Sequence, residues 1–253
     1  MSKFRKGIIT LSVDDGRKDA YRLVDEVLNR YKIPATFNIV SGYIVCEGNR
    51  PAITQDELKE ISKNPLIEIA AHGYLHHNDY ADITKGREKL YEWLDIKSES
   101  IGFASPGSGM KKDYICENQA QLQKMGFSYV RTGSVKEGRD VDETYEYLNN
   151  ADLNGIDELY YEFDNMCINS VPILCDATVE SVKKVVDLAA KEKACVTLMF
   201  HSVCKNGEFE PEDLWTYDYD KFVEIAKYLD KKREAGEIEI LTTAEAFIKG
   251  KNF

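Results

Sequence analysis

The chain is short of most features that assign a function at a glance. Its 253 residues include only six prolines, and no Pro/Ser-rich or low-complexity stretch marks a linker. No run approaches the roughly 18 apolar residues of a membrane span. The opening residues, Met1-Ser2-Lys3-Phe4-Arg5-Lys6, hold neither an apolar core nor a small-residue cleavage site, so a cytoplasmic location is the expectation. The six cysteines form no C-x-x-C pair and no zinc-ribbon spacing, which points to free thiols. Basic residues are outnumbered, 33 against 44 acidic ones, and the net charge of −11 sets aside nucleic acid and anionic membrane as main partners. Neither Gly-x-Gly-x-x-Gly after a strand nor Gly-x-x-x-x-Gly-Lys-Ser/Thr occurs, so nucleotide binding has no support. There are only four histidines, and their places matter.

What is present is alternation. Apolar runs at Ile8–Val13, Ala35–Val40, Leu66–Ala70, Ile101–Ala104, Phe127–Arg131, Ala194–Phe200 and Glu237–Leu241 read as strands. Between them lie helical patterns: a face of Tyr21, Val24, Val27, Leu28 and Tyr31, then Thr84–Leu94, Asp113–Met125, Thr178–Lys191 and Lys221–Ala235. Thr54-Gln55-Asp56-Glu57 is a capping-box pattern that opens a further helix. Leu159–Ile168 alternates loosely and reads as a possible strand. About seven strands alternating with helices predict a parallel sheet, closed as a barrel or open and doubly wound. Residues 1–253 read as one domain with an irregular excursion at about 133–157.

Chemistry gathers at the carboxyl ends of these strands, where α/β proteins carry their reactive groups. The first strand ends in Asp14-Asp15-Gly16, two adjacent carboxylates that need a cation or a shared proton if they are buried. A solvated Asp-Asp-Gly turn is the bland alternative. Just past the third strand come His72, His76 and His77, and the strand from Ala194 ends in His201. His72 and His76 are four residues apart, a spacing that lets two imidazoles reach one ion. A carboxylate such as Asp15 would complete a three-ligand site with an open position for water.

In combination these segments resemble the polysaccharide deacetylase family (carbohydrate esterase family 4). Ser12-Val13-Asp14-Asp15-Gly16 resembles the family's Thr-Phe-Asp-Asp-Gly. His72-Gly73-Tyr74-Leu75-His76 resembles its His-Ser/Thr-x-x-His, with glycine in place of the hydroxyl residue. Leu198-Met199-Phe200-His201 resembles its late Leu-x-His motif. The resemblance implies a deformed (β/α) barrel of about seven parallel strands with one divalent metal at its mouth. By position it makes Asp15, His72 and His76 the ligands, Asp14 the general base that activates water, and His201 the general acid for the leaving amine. Zinc suits two histidines and an aspartate, though cobalt, nickel or iron fits the same donors.

Two departures stand out. The family's Arg-x-Pro-aromatic-Gly, whose arginine steers the catalytic aspartate, corresponds here to Ala104-Ser105-Pro106-Gly107-Ser108. The Gly107 amide keeps the capacity to donate to an oxyanion, because that role needs no side chain. Arg131, ending the next strand, is the candidate replacement for the arginine. The acidic Asp-Trp segment that partners the late histidine has no clean match, which leaves Asp140, Asp142, Asp164 and Asp176 as candidates. Tyr74, Trp215, Tyr217 and Tyr219 are candidates for stacking on a substrate, though such aromatics more often simply pack over a barrel end. Cys204 is close enough to His201 in sequence to line a pocket, and His77 reads as solvent-facing. The expected activity is removal of an acyl group from an N-acylated sugar or glycan, the partner being a small-molecule or oligosaccharide substrate. Hydrolysis of a cyclic imide or ureide is the second reading, and a non-catalytic carbohydrate-binding protein on the same fold is the third.

Overall fold

The computed structural model describes residues 4–45, 51–133, 159–163, 165–205 and 214–251. Seven strands close into a barrel: β1 Gly7–Val13, β2 Ala35–Ile39, β3 Ile67–Ala71, β4 Ile101–Ala104, β5 Phe127–Gly133, β6 Cys167–Pro172 and β7 Cys195–Phe200. Each pairs in parallel with the next, and β7 closes the ring against β1 over Ile8↔Cys195 to Val13↔Phe200. Parallel neighbours require crossovers, and among the described residues helices supply those from β1 through β5 and from β6 to β7. A short parallel pair, β8 Ser202–Cys204 with β9 Thr216–Asp218, follows β7.

The second edge of β1 is shared. Gly7–Thr10 pair with a last strand, β10 Ile238–Leu241, and Ser12 and Val13 then pass to β2. The barrel is also loosened between β3 and β4, which are in register only at Ala71↔Phe103. Beside that contact lies a cleft of about 780 Å³ lined in part by Ile67, Glu68, Ile101 and Gly102. This is the predicted deformed (β/α) barrel.

Side chains along a strand alternate between its two faces, and here the polar set points inward. Thr10 of β1 donates to Thr197 of β7 at 2.8 Å, and Asn38 of β2 donates to Ser12 at 2.7 Å. Tyr129 of β5 reaches past β4 to the Glu68 carboxylate of β3 at 2.8 Å. Gly102 of β4 makes the room, since a Cβ there would stand 2.2 Å from the Tyr129 ring. Glu68 also accepts from Thr36 Oγ1 (2.8 Å) and the Ala244 amide (2.9 Å). The intervening residues, such as Ile9, Leu11, Val13, Phe37 and Ile39, are buried in the apolar core cluster with helix residues such as Val182, Val185 and Leu229. Burial on both faces explains why β1 reads as a continuous apolar run with small hydroxyl residues interspersed.

Local signals explain most element boundaries. The Thr54/Glu57 capping box forms as predicted, with Glu57 also accepting from the Thr54 amide at 2.7 Å. Residues Ala20–Leu23, Val24–Leu28 and Asn29–Tyr31 make one continuous helix whose middle turn is π-wound. Three expectations change. Of the segment 159–168 only Cys167 and Ile168 are in a strand: Tyr160 makes an isolated bridge to Cys195, and the strand starts at Cys167, where pairing with Val130 begins. The helix expected at 113–125 is two, Lys112–Glu117 and Gln119–Lys124, broken where Asn118 leaves helical geometry (φ −102°, ψ 12°). The helix expected from Thr84 begins at Tyr80, because the Asp79 side chain caps it by accepting from the Asp82 amide. The excursion at 133–157 lies outside the described residues beyond Gly133. Among the described residues no helix is long and apolar enough to cross a membrane.

Candidate active site

The turn after β1 places the two aspartates differently. Asp14 still belongs to the ladder, its amide donating to Phe200 O at 2.8 Å, and so its side chain continues the inward series Thr10, Ser12. Asp15 and Gly16 then both adopt left-handed backbone (φ 72° and 65°). That conformation is costly for a residue with a Cβ and is typical of functional turns. Both aspartates are 2% exposed.

Asp15 faces two imidazoles. Its Oδ1 is 3.7 Å from His72 Nε2 and 3.7 Å from His76 Nε2, and the two nitrogens are 3.2 Å apart. His72 Nδ1 lies 2.8 Å from Ala104 O. A carbonyl only accepts, so Nδ1 carries the hydrogen and a neutral His72 presents a bare lone pair at Nε2. Burial pushes the His72 pKa down, partly opposed by Asp14 and Asp15, which favours that neutral form. The other carboxylate oxygen, Asp15 Oδ2, is 3.3 Å from Arg17 Nε, which leaves Oδ1 for the imidazoles. Asp15, His72 and His76 offer ligand atoms within 4.8 Å of one another. Tetrahedral ligands about 2.0–2.1 Å from zinc stand roughly 3.3 Å apart, so the donor set fits a divalent ion of that size.

Asp14 sits in a different field. Arg131 Nη2 donates to both its oxygens at 2.5 Å, and Asn38 Nδ2 donates to Oδ1 at 2.7 Å. Arg131 is 1% exposed, and its Nη1 contacts Met199 Sδ at 2.9 Å. Burial by itself would raise the Asp14 pKa, but the Arg131 guanidinium outweighs it and holds the carboxyl well below the usual range. His201 Nε2 is 3.8 Å from Asp14 Oδ2. Burial also lowers the His201 pKa against the pull of the aspartates. Trp215 packs against its ring, centroid to centroid 4.5 Å.

A sequence model described as polysaccharide deacetylase matches residues 2–132, just over half of the chain. The chain belongs to the polysaccharide deacetylase family. It is 36% identical over 170 residues to a Staphylococcus aureus protein named poly-beta-1,6-N-acetyl-D-glucosamine N-deacetylase, covering 58% of this chain and 59% of that relative. The chain thus matches less than two thirds of the curated relative's length. Among solved structures it resembles the Bc1960 peptidoglycan N-acetylglucosamine deacetylase, with a TM-score of 0.54, 12% identity, and coverage of 100% of this chain and 93% of that one. It also resembles the peptidoglycan deacetylase PdaC from Bacillus subtilis, with a TM-score of 0.52, 13% identity, and coverage of 97% and 92%. Those two likenesses speak to the fold.

Against the polysaccharide deacetylase pattern, Arg131 reaches Asp14 from β5, whereas the motif position expected to carry arginine is Ala104 on β4. Ala104 keeps a backbone role by accepting from His72. Gly107 is exposed in the short helical turn Pro106–Ser108 with φ 54°, a conformation that suits glycine better than an aromatic. The Tyr74 ring is buried, with the Lys85 ammonium 3.4 Å from the ring centroid. Tyr217 is fully buried and donates to Ala177 O at 3.1 Å, while Tyr219 pairs with Glu26 at 2.8 Å. Of that aromatic stretch only Trp215 meets the site. His77 is exposed and outside the ligand cluster, and Cys204 is half-buried on β8. Asp176 is exposed, and Asp140, Asp142 and Asp164 lie outside the described residues. His201 Nδ1 is buried with no hydrogen-bond partner among the described residues.

Sequence reasoning missed Asn38, Arg17 and Asp82. Arg17 directly follows the Asp-Asp-Gly turn, and its proximity was a usable signal. Asn38 sits mid-strand in an apolar run, where a buried amide requires a partner.

Proposed function

We propose that the chain is a divalent-metal-dependent deacetylase that hydrolyses the acyl group of an N-acylated sugar or glycan. One observation carries the reading: two adjacent buried aspartates are separated in function by their surroundings. Asp15 meets His76 and Arg17, and Asp14 meets Arg131 and His201, while His72 Nε2 stands between them, 3.7 Å from an oxygen of each. Such separation is what one site needs to hold an ion with one carboxylate and move a proton with the other.

In this reading Asp15, His72 and His76 hold the ion, and zinc, cobalt, nickel or iron suits them. The ion supplies Lewis acidity, polarising the acyl carbonyl and acidifying a water. Arg131 keeps Asp14 ionised and aimed, ready to take the water's proton. A carboxylate held this low is a weak base, adequate only where the water is already acidified. His201 rests neutral, so the proton it gives the leaving amine has to arrive during turnover, and Asp14 Oδ2 lies 3.8 Å from its Nε2. The Gly107 amide, exposed on the rim, is a candidate oxyanion donor. Family membership and the amino-sugar substrate in the Staphylococcus relative's name support an N-acetylated glycan.

The test is a parallel screen of N-acetylglucosamine oligomers and of cyclic imides and ureides at equal zinc loading. Acetate release from the oligomers, abolished by chelation and restored by zinc, is the expected result. Turnover of imides alone would replace the substrate class, and chelator-insensitive activity would remove the metal from the reaction.

A further inference from the structure

The turn that carries His76 lacks the hydroxyl residue the family motif places beside the first histidine, and a buried carboxylate stands over it instead. Asp82 is 8% exposed in the first turn of the helix Tyr80–Trp93. Its Oδ2 accepts from the amides of Tyr74 (2.9 Å) and His77 (3.1 Å), and its Oδ1 from that of Leu75 (2.8 Å). The two residues flanking His76 are therefore both tied to one carboxylate. His76 itself is left-handed at φ 66°, a conformation that relaxes unless its neighbours hold it. Charge-assisted bonds of this kind are the strong ones, and a helix N-terminus favours the negative charge they need.

The glycines on either side fit the same device. Gly73 has φ +80°, and a Cβ there would come within 2.6 Å of Asp82 Oδ2. Gly86, one helical turn past Asp82 and on the same face, lets the helix seat against the turn. A Cβ on Gly86 would stand 2.5 Å from the Gly73 carbonyl carbon. Gly73 is thus more than a lost hydroxyl: the space and backbone it leaves are what admit the Asp82 carboxylate.

We propose that Asp82 is a positioning residue for the ion: by gripping residues 74, 75 and 77 it holds His76 Nε2 at ligand distance from His72 and Asp15. This rests on the metal reading given above. The experiment measures cobalt(II) dissociation constants by chelator competition, cobalt visible spectra, and metal-free melting temperatures. The proteins are wild type, Asp82→Asn, Gly73→Ala and Asp79→Ala. Asp79 caps the same helix without touching the turn, and so reports the cost of a loosened helix start. Partners of metal ligands typically contribute about 10–100-fold in affinity, and a loss of that size is expected for Asp82→Asn and Gly73→Ala with an altered cobalt spectrum. Asp79→Ala is expected to bind cobalt like wild type even where its melting temperature falls. Wild-type affinity and spectrum in Asp82→Asn would overturn the proposal, as would an equal loss in Asp79→Ala. If Asp82→Asn does not fold, Gly73→Ala decides in the same way. A wild-type protein that binds no cobalt would fail the metal reading itself, and this proposal with it.

Discussion

Two carboxylates share the interior of this barrel and end in opposite electrostatic states. Glu68 and His72 both lie on the inner face of β3, four residues or roughly 13 Å apart along the strand. Glu68 is half-buried as a residue, with its oxygens turned to a phenol, a hydroxyl and an amide. Burial raises its pKa, and those neutral donors only moderate the rise. Asp14, at the mouth, is more deeply buried yet displaced downward, because Arg131 brings a full charge. Neutral donors satisfy a carboxylate; a buried cation keeps it ionised. The lower network is a structural hub, and the mouth has the separated charges that acid–base chemistry requires.

The comparison can be tested from its reactive end downward. Asp14→Asn keeps the shape and the Asn38 neighbourhood but removes the base. It should lower kcat/KM roughly 100- to 10,000-fold while elemental analysis still finds the ion. Asp15→Asn should instead abolish metal retention. Equal metal content and equal activity in both variants would erase the proposed division of labour.

Replacing Arg131 with Met should turn Asp14 into a second Glu68. With burial unopposed by the guanidinium, the Asp14 pKa rises, and the base must be ionised to act. The acid limb of the kcat/KM–pH profile should therefore move to higher pH. Breaking a buried pair also costs about 3–5 kcal/mol, readable by urea unfolding. An unchanged acid limb would mean that Arg131 does not set the state of Asp14.

Glu68→Gln tests the other end. It should leave kcat within about threefold and cost about 1–3 kcal/mol in acid, where one interior donor loses its acceptor. The folded pKa of Glu68 lies above its unfolded value, so the folded state binds its proton more tightly. Its contribution is full below the ordinary carboxyl pKa and is lost as pH rises through the folded one. The stability advantage of wild type over the variant should shrink as pH rises, and a growing gap would contradict the assigned direction. The smallest effect is expected from Trp215→Ala. Losing the ring packed on His201 removes about 0.5–1.5 kcal/mol of aromatic contact, a several-fold drop in kcat with metal content unchanged.

The alternation of strands and helices, the near-sevenfold strand count and the strand-end positions of Asp14, Asp15, His72, His76 and His201 were all legible in the sequence. They follow from local periodicity and from rare residue types in short motifs. The strand at 159–168 was misplaced because Asn169 and Ser170 hide the true strand, their polar side chains lying where an apolar pattern was sought. The inward set of Thr10, Thr36, Asn38 and Tyr129 was invisible for a related reason: a strand covered on both sides gives no sign of which side is the barrel.

The pairing of charges, by contrast, follows from the closed barrel. Arg131 and Asp14 are 117 residues apart and meet across the barrel from strands that are not neighbours. No local spacing encodes such a contact, because closure of the ring sets it. Asp82 lies closer in sequence, but its grip on residues 74–77 depends on a left-handed glycine and a helix seated against it. Local sequence specifies which groups could do chemistry and at which end of the strands they stand. Closure of the barrel decided that Asp14 meets Arg131 and His201 while Asp15 meets His76, with His72 between the two.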